Sequence, residues 1–148
     1  MAIFNFKLKT IHRLKSQLED QAKNKFGLTV AALNEEIRKL NLIKDTISAT
    51  IDEFRALSGG KFTAGTIKSY NYFIAAMRDR EAAQTVEVEK ATEVMERARE
   101  ALIIASRQRE MFDKLRERAF TRHMDDEKRA EHRATDELVS YRGNASYR

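Results

Sequence analysis

A long antiparallel two-helix hairpin, an all-α coiled coil, is the fold predicted by three observations. A seven-residue apolar repeat runs from Ile67 to Ala119. None of the 148 residues is proline, where an average usage of about 5 % would place about seven. Three of the five glycines fall in one stretch, SGGKFTAG at residues 58–65, between two halves that each carry helical apolar spacing.

The first helix is expected over about residues 4–57. Ile11, Leu14 and Leu18, then Ala22, Phe26, Val30, Leu33, Ile37, Leu40, Ile47, Ile51 and Phe54, form its apolar stripe. Four-residue steps dominate from 18 to 30, the pattern of a stutter that locally unwinds a supercoil. Gly27 lies in that region and costs about 1 kcal/mol relative to alanine, so the stretch should be soft.

SGGKFTAG admits two readings. A phosphate-binding loop needs G-x-x-x-x-G-K-[ST] after a strand, so that backbone N–H groups, a lysine and a hydroxyl converge on phosphate and magnesium. Here Lys61 is followed by Phe62, no glycine lies five residues before Gly60, and the preceding apolar residues have helical spacing. The stretch is therefore read as the turn, residues 58–65, and short connections favour antiparallel neighbours.

The second helix is expected over about 66–140, with a flexible tail at 141–148. Ile67, Ile74, Val88, Met95 and Leu102 fill one seam position, and Tyr70, Met77, Ala91, Ala98, Ala105, Phe112 and Ala119 the other. That alternation of three and four keeps one stripe on a partner helix. Glu81, Gln84, Arg109 and Arg116 interrupt it. The alanines suit close approach to bulkier residues opposite. At 1.5 Å per residue the second helix alone would run roughly 110 Å, so a single rod-like domain is expected.

No catalytic constellation is visible. His123 and Glu127 stand four apart, a spacing that two metal ligands share, but H-E-x-x-H is absent and such pairs are routine on helix faces. The adjacent carboxylates, such as Asp136-Glu137, point to different sides of a helix. Cysteine is absent, which removes disulfides and thiolate metal sites. No enzyme activity and no cofactor are expected. The longest apolar runs, 73–77 and 101–105, are five residues each, far short of a membrane span. MAIFNFKLKT lacks the continuous apolar core of a secretory signal. A cytoplasmic chain without direct membrane insertion is the expectation.

Two surface features remain. Tyr72 and Phe73 fall outside the seam that accounts for Tyr70, Ile74 and Met77; they either pack over Phe54 or Leu57 or form an exposed apolar patch that marks a partner site. The other feature is charge. The chain carries a formal net charge of +5, and a turn near residue 62 would set residues 1–25 beside 99–123, both rich in lysine and arginine. A basic end is steered toward an acidic protein cavity or nucleic acid.

FNFKLKTIHRLKSQLEDQAKNK, SYNYFIAAMRDREAAQ and REALIIASRQREMFDKLRER, with TDELVSYR as a weaker echo, resemble the flagellar export protein FliJ family in order, spacing and length. The resemblance implies a non-enzymatic, cytoplasmic stalk-like hairpin of the flagellar type III export apparatus, held peripherally at the inner face of the membrane. It further implies that the hairpin promotes assembly and activity of the export ATPase hexamer, contacts the export gate membrane protein and escorts or recycles export chaperones. Carried over residue by residue, the gate contact corresponds to Tyr70, Phe73 and Met77. The ATPase contact corresponds to Lys9, Arg13, Arg118 and Arg122, with Asp136, Glu137 and Arg142 matching the family's ending loosely. The rival readings are the equivalent stalk of a virulence type III secretion system and a basic coiled-coil scaffold for nucleic acid. Nucleic acid is not expected if the resemblance holds.

Overall fold

The computed structural model describes residues 2–57, 59–60 and 63–146. It contains two α-helices, α1 (Lys9–Leu57, 49 residues) and α2 (Ala64–Ala145, 82 residues), and no strand among the described residues. The helices pack against each other as an antiparallel hairpin, the predicted fold class: as α1 advances from His12 to Glu19, its partners on α2 retreat from Asp113 to Arg109. Contacts group the chain into two units, Met1–Gln21 with Ile103–Arg148, and Ala22–Leu102. Each is taken in turn.

In the unit Ala22–Leu102, the inward residues of α2 follow the predicted seven-residue repeat. Tyr70, Ile74, Val88, Ala91 and Met95 are half-buried, while Met77 and Ala98 are buried. Ile67, expected in the seam, is exposed; it lies in the first turn, where Tyr70 makes the contact by placing its ring 5.3 Å from that of Phe54. Across from them Ile47 is the most buried apolar residue, 3 % exposed. Ile37, also expected in the seam, is exposed, and Glu36 takes the inward place beside it. The helix passes through Gly27 without a break, and a Cβ there would meet nothing within 4 Å.

The predicted turn falls partly on Ser58, Lys61 and Phe62, which lie outside the described residues. On its near side the Gly60 N–H donates to the Leu57 carbonyl at 2.9 Å, closing the end of α1. On its far side Thr63 caps α2: its Oγ1 accepts from the Thr66 N–H at 3.2 Å, satisfying one of the orphan donors of a helix start. That cap sets the first helical residue at Ala64, slightly earlier than the 66 expected from the apolar repeat.

In the unit Met1–Gln21 with Ile103–Arg148, α1 begins at Lys9 rather than near residue 4. Phe4 and Phe6 are the reason. At 100° per residue a helix would turn them about 200° apart, whereas an extended segment sets both on one side. Phe4 lies 5.2 Å from the Phe120 ring and 5.5 Å from His123, Phe6 is buried, and Ile3 is almost fully exposed. The His123 Nε2–H donates to the Ala2 carbonyl at 3.2 Å, tying the strap down. At the other end α2 continues past residue 140 to Ala145, with Arg142 in its last turn, where a cation suits the helix dipole.

The same unit corrects the predicted core of α1. Ile11, Leu14 and Leu18 are exposed, and the residues turned toward α2 are His12, Lys15, Ser16 and Glu19. The two sets share helical spacing and differ by roughly 100° around the axis. Polar partners on α2 decide between them.

Candidate functional site

Glu19 is buried, 4 % exposed, and a carboxylate taken from water needs a partner. Arg109 supplies it: Nε donates to Glu19 Oε2 at 2.6 Å, and the same guanidinium hydrogen-bonds Asp113 one turn on. Asp113 in turn accepts from the His12 Nε2–H at 2.5 Å. Lys15 Nζ donates to Gln108 Oε1 at 3.0 Å on one flank of the seam. The interruption of the apolar repeat at Arg109 is therefore the centre of a cross-helix polar network. In the other unit Gln84 plays a similar part, its Nε2 donating to the Glu36 carbonyl at 2.9 Å and to Glu36 Oε2 at 2.6 Å. Sequence reasoning marked both interruptions on α2 and missed their partners Glu19 and Glu36, which sit in a run of other polar residues.

The network carries a pH dependence. The hydrogen bond from His12, with Arg109 behind it and burial opposing, holds the Asp113 carboxyl below its ordinary value of 3.8. A carboxyl with a depressed folded pKa stabilises the fold above its unfolded pKa, and that stability is lost as pH falls through the lower, folded value. Thermal midpoints measured from pH 7 downward should show the Asp113 contribution intact at pH 5 and disappearing below about pH 4. Asp113→Asn should flatten that acid limb; an unchanged limb would show that other carboxylates carry it.

The residues matched to a gate contact lie at the start of α2. Met77 is 8 % exposed and Tyr70 is half-buried. Burial, and after it the Glu53 carboxylate to which it hydrogen-bonds, push the Tyr70 hydroxyl above its ordinary value. Phe73 is 45 % exposed and lines a shallow depression of about 280 Å³ with Thr50, Glu53, Ser69 and Tyr70. Tyr72 is more exposed still, with Lys68 Nζ 5.9 Å from its ring centroid, a cation–π distance. Phe73 thus offers surface beside Tyr70, while Met77 is turned into the seam.

The residues matched to an ATPase contact are spread over the unit that includes the chain ends. Lys9 and Arg13 line a cleft of about 380 Å³ with Phe4, Phe6, His12 and Arg116, the last of which the resemblance did not single out. Arg118 and Arg122 stand on the opposite flank by helical geometry, Arg122 lining a separate cleft of about 790 Å³ with Lys7, Leu8 and Leu115. All four are exposed and none makes an ion pair among the described residues. Asp136, Glu137 and Arg142 lie on the last turns of α2, where every described residue from Lys128 onward is exposed. They do not join either cleft.

His123 Nε2 lies 3.4 Å from Glu127 Oε1, and no group of three potential ligands that would hold a metal ion exists among the described residues. No helix among them is long and apolar enough to cross a membrane.

The described residues form a helical hairpin whose seam is tied by polar contacts and which leaves basic and aromatic side chains exposed. The model of the family described as flagellar FliJ protein matches residues 4–148, and the chain belongs to that family, whose members are non-enzymatic components of the flagellar and type III export apparatus. A putative YscO homolog from Chlamydia trachomatis has a similar structure. The TM-score is 0.55 over 93 % of this chain and 94 % of that one, at 18 % sequence identity. At that identity the likeness speaks for the fold. No curated protein sequence matches the chain.

Proposed function

We propose that this protein is the stalk-like hairpin of a flagellar type III export apparatus, acting in the cytoplasm at the inner face of the membrane. It promotes assembly and turnover of the export ATPase hexamer through the cations of the unit containing the chain ends. Through Phe73, supported by Tyr70 and Met77, it contacts the export gate protein, and it passes export chaperones between cycles. The observation that carries this reading is the disposition of charge. Glu19 and Asp113 are held in the seam by Arg109 and His12, while Lys9, Arg13, Arg118 and Arg122 remain outside it, exposed. Such an exterior is attracted to an acidic cavity in a partner. Any nucleotide chemistry belongs to that partner.

The test is ATP hydrolysis by the cognate export ATPase as the protein is added. Wild type should stimulate turnover, and Lys9→Glu with Arg13→Glu should abolish the stimulation at unchanged helicity. Phe73→Ala should keep the stimulation and weaken binding to the gate protein by roughly tenfold, the scale of an exposed aromatic anchor. A folded wild-type protein that leaves turnover unchanged would end the stalk reading.

A further inference from the structure

The apolar residues that the seam rejects line up. Ile11, Leu14 and Leu18 step by three and four along α1, and Ile104, Met111 and Leu115 by seven and four along α2. All six are exposed, Leu14 by 51 % and Met111 by 56 %. With inward His12 and Ala105 as references, each set is turned roughly 100° from its helix's seam. In an antiparallel pair these two rotations bring the sets to the same side. The Lys15–Gln108 hydrogen bond marks that side, since both residues lie between the seam and the stripes, and Leu8 and Leu115 line one cleft there. The result is one apolar strip formed by two helices, wider than either alone.

Its border is charged with one sign. Arg107, Lys114, Arg118 and Arg122 step by seven, four and four along α2, next to Met111 and Leu115. None makes an ion pair among the described residues. Glu110, Asp113 and Glu117, the carboxylates of the same stretch, turn to the other flank by the same geometry. An aliphatic strip of helical pitch beside a row of free cations is complementary to an amphipathic helix with an acidic polar face.

We infer that this face, built by Ile11, Leu14 and Leu18 with Ile104, Met111 and Leu115 and bordered by Arg107 and Lys114, docks an acidic amphipathic α-helix of a partner protein. A second copy related by a twofold axis across the strip would set the basic rows against each other, and an acidic helix would meet them with opposite charge. The inference does not depend on ATPase stimulation, and Leu14, Met111, Arg107 and Lys114 are not among the ATPase contacts proposed above.

The test uses the full chain and a fluorescent synthetic peptide of about three heptads, leucine at its two seam positions and glutamate elsewhere, followed by anisotropy at neutral pH. It should bind at least about tenfold more tightly than the analogue with lysine for glutamate, and more weakly as salt rises. Leu14→Gln with Met111→Gln should reduce affinity at least about tenfold with the circular dichroism unchanged, because both side chains are already in water. Arg107→Gln with Lys114→Gln should weaken binding and flatten its salt dependence. Equal affinity for the two peptides, or variants that bind as wild type does, would overturn the inference. So would a dimer in sedimentation that Leu14→Gln dissociates, or adsorption to anionic phospholipid vesicles in preference to the peptide.

Discussion

Arg109→Ala is expected to lower the urea midpoint clearly, because it removes the guanidinium that buried Glu19, across the seam, shares with Asp113. The loss comes from Glu19, whose side chain is 6 % exposed and would keep its charge without the Arg109 guanidinium. Glu19→Leu combined with Arg109→Leu is expected to lie closer to wild type than Arg109→Ala does, since apolar replacement of both partners removes the desolvation cost together with the attraction. Urea unfolding of the two variants decides the matter. If the double variant is as unstable as the single, the pair contributes net stability and the cost assigned to stranding Glu19 is wrong. If the single variant is unaffected, Glu19 is satisfied without Arg109, by water or by another partner.

Ile47→Ala should cost about 3 kcal/mol, through lost transfer energy and the cavity left beneath α2, whereas Leu14→Ala should change stability by less than about 0.5 kcal/mol. Both residues belong to the apolar stripe of α1, and sequence pattern alone ranks them alike. The difference is burial: Ile47 is 3 % exposed and Leu14 51 %. Chemical denaturation of the two variants under one condition measures it directly. A comparable loss at Leu14 would mean that its stripe is covered in solution, and the sedimentation experiment above would identify the cover.

The contrast between these two leucine-class positions shows how far the sequence reaches. Helical apolar spacing on both sides of one glycine-rich stretch, with no proline in the chain, is enough to determine two long helices folded back on each other, because helix continuity and the need to bury a stripe are local properties. The seven-residue repeat of α2 placed Tyr70, Met77 and Ala98 inward, as observed, and left open whether Phe73, outside the seam, packs over Phe54 or Leu57 or stays exposed; it is exposed. Family resemblance then located candidate contacts that the repeat could not.

What the tertiary structure decided was azimuth and pairing. Between Lys9 and Gln21 two stripes of equal pitch compete for α2, one apolar at Ile11, Leu14 and Leu18 and one polar at His12, Lys15 and Glu19. Periodicity fixes the angle between them but not which one faces the partner. The answer depends on Arg109, Asp113 and Gln108, some ninety or more residues away in sequence, and on a strap in which Phe4 and Phe6 alternate instead of coiling. Glu19 is buried because its donor sits across the seam, and Leu14 is left in water for the same reason.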